Sequence, residues 1–239
     1  VSKISIVIPA YNEAENIGAC LEALVRQTTA EPFEVIVVDN GSTDRTAGIA
    51  REFQDRLSLR VVPEPRKGRG AARATGCRLA DGEIIFCTDA DTCVPPRWIE
   101  TFSDVLRAHP DFAGVTGTSR INDCTPYRNW VFNTFMPLAI RANYLIYRHA
   151  GLSGFSCAFR KDAYEKCGGF DPQADAYEDL ELSTRMSKYG HITFCTQAPV
   201  LFSGRRFRGG LIKGCYEYTK TYVEKFFLGK RRVLLSNVK

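Results

Sequence analysis

Residues 83–92, EIIFCTDADT, decide how this chain is read. The run Ile84-Ile85-Phe86-Cys87 is too short for a helix and rich in strand formers, so it reads as a strand buried on both faces. It ends on two carboxylates, Asp89 and Asp91. Like charges that close disfavour each other's ionisation unless a cation lies between them. Hard oxygen ligands with open positions suit Mg2+ or Mn2+ bridging to phosphate oxygens. The same two residues could instead form a turn at Asp89 and cap, through Asp91, a helix beginning near Pro95, and that arrangement needs no cation.

The pattern repeats upstream. ISIVIP (4–9), EVIVVD (34–39) and LRVVP (59–63) are short Val/Ile-rich runs, each followed by a polar turn and a helical period, over 13–27, 44–55 and 69–80. Strand, turn and helix in alternation predict right-handed crossovers and an α/β fold with an open, mainly parallel sheet flanked by helices. In such sheets ligands collect beyond the carboxyl ends of the strands. Pro9, Tyr11 and Glu13, then Asp39, then Asp89 and Asp91 all fall at such ends. The second half is mixed: a helix over 96–109, a strand FAGVTGTS (112–119), an amphipathic stretch over 126–148 and a turn GLSGFS (151–156). A strand CAFR (157–160), helices over 161–167 and 178–189, and short strands between 192 and 202 complete it. This half is expected to read a second ligand. Ile212, Cys215, Thr219, Tyr222 and Phe226 recur at three- and four-residue spacing and predict an amphipathic helix over 209–227.

At 239 residues, 44% hydrophobic and 25% charged, the chain can bury the core of one globular domain with an appendage. The net charge of +5 is mild, and no nucleic-acid partner is expected. Ten of the 32 basic residues crowd positions 205–239, a composition that meets phosphate or an anionic membrane, or serves as a solvated helix face. The nine cysteines are scattered without a C-x-x-C pair and read as small buried hydrophobes in a reducing compartment. VSKISIVIPAY runs straight into a strand, so no signal peptide is expected. The stretch 130–147 is interrupted by Asn133, Pro137, Arg141 and Asn143 and fails as a spanning helix. The expected location is cytoplasmic, with peripheral contact at the inner face of the membrane.

SIVIPAYNEAENIGACLEAL (5–24), VIVVDNGSTDRT (35–46), GRGAARATG (68–76), CTDADT (87–92) and YEDLEL (177–182), in this order and spacing, resemble the family 2 glycosyltransferases. These are inverting sugar-nucleotide enzymes with the GT-A fold, and the resemblance covers roughly residues 3–205. It implies a GT-A domain over 1–205, with a nucleotide-sugar-binding half at 1–92 and an acceptor-binding half at 93–205, and leaves 206–239 as a basic amphipathic tail.

For the donor, a UDP-sugar, the resemblance implies that Pro9, Ala10, Tyr11, Glu13 and Asp39 surround base and ribose. An acidic side chain can accept from a uracil imide or a ribose hydroxyl, and a tyrosine ring can stack. Lys67 and Arg73 come from the glycine-bearing segment, where a helix N-terminus near Gly70 favours an anion. Asp89, Ala90 and Asp91 lie on the diphosphate side, with Asp91 and Asp89 holding the divalent metal, Mn2+ or Mg2+. Asp179 is implied as the general base that takes the proton of the acceptor hydroxyl. Its helix start stabilises the ionised form, whereas burial beside a diphosphate would strengthen the base.

Gly154, Glu178, Arg205 and Arg206 are placed on the acceptor or pyrophosphate side, Glu178 serving equally as first-turn decoration. Relatives often carry a histidine metal ligand where Ser203 stands here. Gly168-Gly169-Phe170 could set a ring against a sugar or pack the core. The processive-synthase signature Q-x-x-R-W is absent, so a single transfer to a glycan or lipid-linked acceptor is expected. The opening loop IPAYNEAEN is not the glycine-rich loop of a nucleotidyltransferase. A noncatalytic sugar-nucleotide or glycan binder would share the fold but have no use for Asp179 beyond capping.

Overall fold

The structure is a computed structural model that describes residues 4–147, 150–174, 176–207, 210 and 216, with side chains of 139–147 and Arg206 outside the description. The predicted helix over 209–227 therefore lies outside the described residues. The first half runs β1 (Ile4–Ala10), α1 (Ile17–Val25), β2 (Phe33–Asp39), α2 (Thr46–Arg51), β3 (Leu59–Pro63), α3 (Arg69–Leu79) and β4 (Ile84–Thr88). After it come β5 (Thr92–Cys93), α4 (Trp98–Ala108), β6 (Phe112–Thr116), β7 (Ser119–Arg120) and α5 (Pro126–Tyr147). The chain continues through β8 (Ser156–Arg160), α6 (Lys161–Lys166), α7 (Glu178–Met186), β9 (His191–Phe194), β10 (Val200–Phe202) and a 3-10 turn, Gly204–Phe207.

Alternation along the strands divides the core into two layers, as a period of two requires when both faces are covered. Ile4, Ile6 and Ile8 of β1, Val35 and Val37 of β2, and Phe86 of β4 pack with α1 and α4. Their neighbours Val7, Ile36, Val38, Ile85 and Cys87 pack on the other side with α3, α6 and α7. Burying a side chain of this size is worth about 1.5–3 kcal/mol, so this double-sided run holds the sheet. The described cysteines form no disulfide, and Cys20, Cys77, Cys87, Cys157 and Cys195 sit buried as hydrophobes.

Seven strands form one sheet in the order β3-β2-β1-β4-β8-β6-β9. β2 and β4 flank β1, both parallel to it. After β3 the chain crosses over to β4 on the far side of β1, and α3, which makes that crossing, lies on the opposite face from α1 and α2. Such a reversal opens a crevice beyond the strand ends. β8 runs antiparallel to β4 with Ser156 opposite Thr88, which returns Gly154 to that same edge. A second sheet, β5-β10-β7, lies beside it.

Three predicted elements are corrected. α1 starts at Ile17 rather than 13, because Glu13 and Ala14 direct their backbone N–H groups to Thr46, the first residue of α2, and to Asp44 before it. α2 is shortened to Thr46–Arg51, its start fixed by the Thr46 N–H donating to Asp44 Oδ1. The strand expected over 112–119 divides: β6 stays in the main sheet, and β7 leaves it to pair with β10. Among the described residues no helix is long and apolar enough to cross a membrane.

Candidate active site

The ends of β1, β2 and β4 bring one group of predicted residues together. Ala10 stands opposite Asp39 in register. The loop after β1 is locked to the loop after β2: Asn12 adopts the left-handed region at φ 53° and its Oδ1 accepts the Thr43 N–H at 2.8 Å. Tyr11, 41% exposed, carries the Lys67 ammonium over its ring at 3.8 Å from the centroid. Lys67 also donates to the carbonyls of Asn40 and Gly41. One ring face is thereby taken, and this loop lysine is held rather than free in solvent. Asp39 makes a turn, accepting the Ser42 N–H at 3.1 Å.

Sequence reasoning missed Asn40. It is buried, donates to the carbonyls of Glu64 and Arg66, and accepts the Gly68 N–H at 2.9 Å, tying the segment before α3 to the end of β2. The pair Asn40-Gly41, a turn signature, was the available signal.

At the end of β4 the two aspartates part company. Asp89 accepts from Arg73 Nη2 at 2.6 Å. Arg73 Nη1 donates to the Glu178 carboxylate. Arg73 is 2% exposed, so it is a buried tie between β4 and α7, beneath the surface on which a nucleotide was expected to meet it. Burial opposes its charge, and the nearby carboxylates of Asp89 and Asp179 more than offset that, pushing its titration up. Glu178 is buried too and is not surface decoration. A Cβ at Gly154 would fall on the Arg73 guanidinium, which is why glycine stands there.

The Gly154 N–H donates to Asp179 Oδ2 at 2.8 Å, and the Leu180 N–H to Oδ1 at 2.8 Å. Tyr177, at φ 59°, makes the turn that launches α7 with Glu178 and Asp179 in its first turn. A non-glycine residue in that region is uncommon and costs free energy that the surrounding structure must offset.

Asp91 is 7% exposed on its side chain and meets Arg205 at 2.9 Å. The same guanidinium forks onto Glu13, at 2.7 and 3.3 Å. Burial first, and then Asp89, push the Asp91 carboxyl up to about 7 against the pull of Arg205. α4 begins at Trp98 after an N-cap, Arg97, with no side-chain cap bond, so Asp91 is not its cap. A buried acidic position that already draws a guanidinium has the chemistry of a cation site, and Asp91 fits a divalent ion. Asp89, engaged with Arg73, fits it less well. Among the described residues no three Asp, Glu, His or Cys side chains converge to hold a metal by themselves.

A raised carboxyl costs stability once ionised in the fold. The cost is absent below about pH 4, where the unfolded acid is also protonated, and complete above about pH 7. Asp91→Asn is therefore expected to raise the metal-free melting midpoint at pH 8 by about 2–8 °C, on the order of 1–2 kcal/mol, and to change it little at pH 4.5. Scanning calorimetry at the two pH values checks this; a lower midpoint at pH 8 contradicts it.

One further expectation is corrected and one alternative is decided. The Gly70 N–H, predicted to greet an anion, donates to the Ala174 carbonyl at 3.2 Å, and a Cβ there would strike the backbone of Asp171 and Ala174. Phe170 is buried with its ring 5.8 Å from Tyr164 and 6.3 Å from Phe159, so it packs the core and faces no sugar. Pro9 and Ala10 lie in β1, Ala90, between the two aspartates in sequence, is buried in the core, and the Arg206 side chain lies outside the description.

Solved structures share the architecture. A mannosyltransferase from Pyrobaculum calidifontis in complex with GDP-Man and Mn2+ superposes with a TM-score of 0.67 at 24% identity, over 92% of this chain and 64% of that one. Residues 1–349 of S. aureus TarS superpose at 0.69 and 17% identity, over 94% and 72%. At these identities the likeness speaks for a GT-A type fold. Among curated proteins, glycosyltransferase AglE of Haloferax volcanii is 43% identical over 101 residues, 41% of this chain and 33% of that protein. The probable glycosyltransferase YdaM of Bacillus subtilis is 31% identical over 205 residues, 80% and 48%. The chain thus spans a third to a half of the length of these relatives. The model of the family described as "Glycosyl transferase family 2" matches residues 5–168, more than half of the chain, and the chain belongs to that family.

Proposed function

We propose that the protein transfers a single sugar, with inversion, from a UDP-sugar to a hydroxyl acceptor, with Asp179 as general base and a divalent cation at Asp91. The observation that carries this reading is the pair of acidic stations at one sheet edge: Asp91 with Glu13 beyond β1 and β4, and Asp179 at the start of α7, with the buried Arg73 tying their neighbours Asp89 and Glu178. Nucleotide-sugar use agrees with the GDP-Man and UDP-GlcNAc complexes of the mannosyltransferase and of TarS.

Glu13 and Asp39 would orient base and ribose, with Tyr11 against the base through the ring face that Lys67 leaves open. Asp91 would hold Mn2+ or Mg2+, and when bound the ion would neutralise charge on the departing diphosphate. Asp179, its carboxylate plane fixed by the Gly154 and Leu180 N–H groups, takes the proton from the acceptor hydroxyl as that oxygen attacks the anomeric carbon. The test is release of UDP from UDP-glucose and UDP-GlcNAc with Mn2+, with and without EDTA, beside GDP-mannose. Release from a UDP-sugar that EDTA abolishes is expected. Release of GDP alone overturns the donor assignment, and nucleotide binding without turnover of any donor favours a binder.

The acceptor we infer is lipid-linked and met at an anionic membrane surface. α5 turns its amides inward, Asn133 bonding the backbone of Ile121 in both directions. Phe132 is buried, but four other apolar residues of the helix face outward, with Tyr127 71%, Trp130 61%, Phe135 55% and Leu138 54% exposed. Phe207, at the threshold of the basic tail, packs on Phe132 of the same helix at 5.0 Å. Exposed aromatic residues on α5, in a chain whose sequence after position 204 is rich in Lys and Arg, match the interface of an anionic bilayer. Trp130→Glu should weaken sedimentation with phosphatidylglycerol vesicles by about tenfold or more at low salt. Failure of the unaltered protein to bind such vesicles removes this part of the reading.

A further inference from the structure

Arg205 is the cation that the fold itself supplies to the candidate metal position. Its guanidinium spans two carboxylates from different strand ends, Glu13 after β1 and Asp91 after β4. The backbone on either side is fastened. The Gly204 N–H donates to Asp123 Oδ1 at 2.7 Å, the Ser203 hydroxyl to Oδ2 at 3.3 Å, and Phe207 is buried against Phe132. The side chain can therefore leave Asp91 by a rotamer change while the turn stays in place.

We propose that Arg205 is an internal counter-ion which a divalent cation must replace at Asp91, so that it sets metal affinity in the donor-free protein and couples metal to nucleotide binding. The inference rests on the reading that Asp91 holds the cation. A dication placed on Asp91 lies beside the guanidinium, and two cations sharing one buried carboxylate repel. Without a donor, one displaces the other. An anionic diphosphate brings charge enough to keep both, the ion on Asp91 and the guanidinium turned to the phosphates from its hold on Glu13. Metal and nucleotide then strengthen each other's binding, reciprocally. Arg205 is in this account a positioning residue, acting on the cation through Asp91.

The experiment is Mn2+ titration of the intact chain by electron paramagnetic resonance, with and without UDP, in the unaltered protein, Arg205→Gln, Arg205→Lys and Asp91→Asn, each checked for a cooperative melt. Without nucleotide, R205Q is expected to bind Mn2+ about 5- to 100-fold more tightly, the ordinary span of coupling between sites, with R205K between. UDP should tighten Mn2+ binding strongly in the unaltered protein and much less in R205Q. A merely structural Arg205 would weaken metal binding when replaced, not strengthen it. Equal or weaker Mn2+ binding by R205Q, with D91N inert, overturns the exchange while leaving Asp91 as the metal position. Mn2+ binding that survives D91N overturns the metal position and the exchange with it.

Discussion

Asp179→Asn is expected to lower kcat by about 10²–10⁴-fold while the affinity for UDP and for the UDP-sugar stays within about threefold. The expectation follows from where the carboxylate is held. Its two oxygens accept N–H bonds from Gly154 and Leu180, and both donors belong to the α7 and β8 side of the edge, while Tyr11, Glu13, Asn40 and Asp91 form the β1–β2–β4 side. Asparagine keeps the size and one acceptor oxygen, so it gives up one of the two N–H bonds together with proton acceptance and leaves the donor side untouched. An interaction made only as the acceptor is deprotonated shows in kcat and in kcat/KM alike, with donor dissociation unmoved. Asp91→Asn differs in kind: it removes a carboxylate from the donor side and should weaken donor binding and turnover together. Calorimetric titration with UDP beside steady-state kinetics separates the two variants. Equal loss of UDP affinity in both would show that Asp179 belongs to the donor pocket and is no general base.

The parts of this molecule that depend on local periodicity were legible in the residues. ISIVIP, EVIVVD, LRVVP and EIIFCT announce β1 to β4 because every second side chain enters one of two buried layers, and LRVVP matched β3 end for end. That Glu13 and Asp91 meet at one edge, sharing Arg205, follows from parallel strands ending there. What could not be read depends on contacts made far along the chain. Arg73 finds Glu178 across 105 positions and Arg205 finds Glu13 across 192, and no spacing rule links such pairs. The antiparallel sense of β8, which carries Gly154 back to the active edge, is likewise invisible in CAFR. Glu13 and Ala14 suit a helix locally, yet their N–H groups bond Thr46 at the start of α2 and Asp44 before it, and α1 begins only at Ile17. Tertiary bonds took precedence over helical propensity there.

Arg73→Met should be the most destabilising single change in the site, at about 3–5 kcal/mol near pH 7. The arginine is the shared partner of Asp89 and Glu178, and Glu178 is as buried as the arginine itself. Removing the cation strands two carboxylates at the junction of β4 and α7. Arg73→Met combined with Glu178→Gln should recover part of the loss, because neighbours in one buried network are not additive. Gly154→Ala approaches the same network from the other side. Its methyl must displace the guanidinium, and a well-packed site resists that by about 1–3 kcal/mol. Since the Gly154 N–H also holds Asp179, its kcat should fall further than the population of folded protein explains. Urea denaturation of the single and double variants, with kcat measured well below the melting midpoint, decides the matter. An Arg73→Met deficit that Glu178→Gln does not reduce, or a Gly154→Ala enzyme with unchanged kcat, would show that the buried arginine does not tie Asp89 to the start of α7.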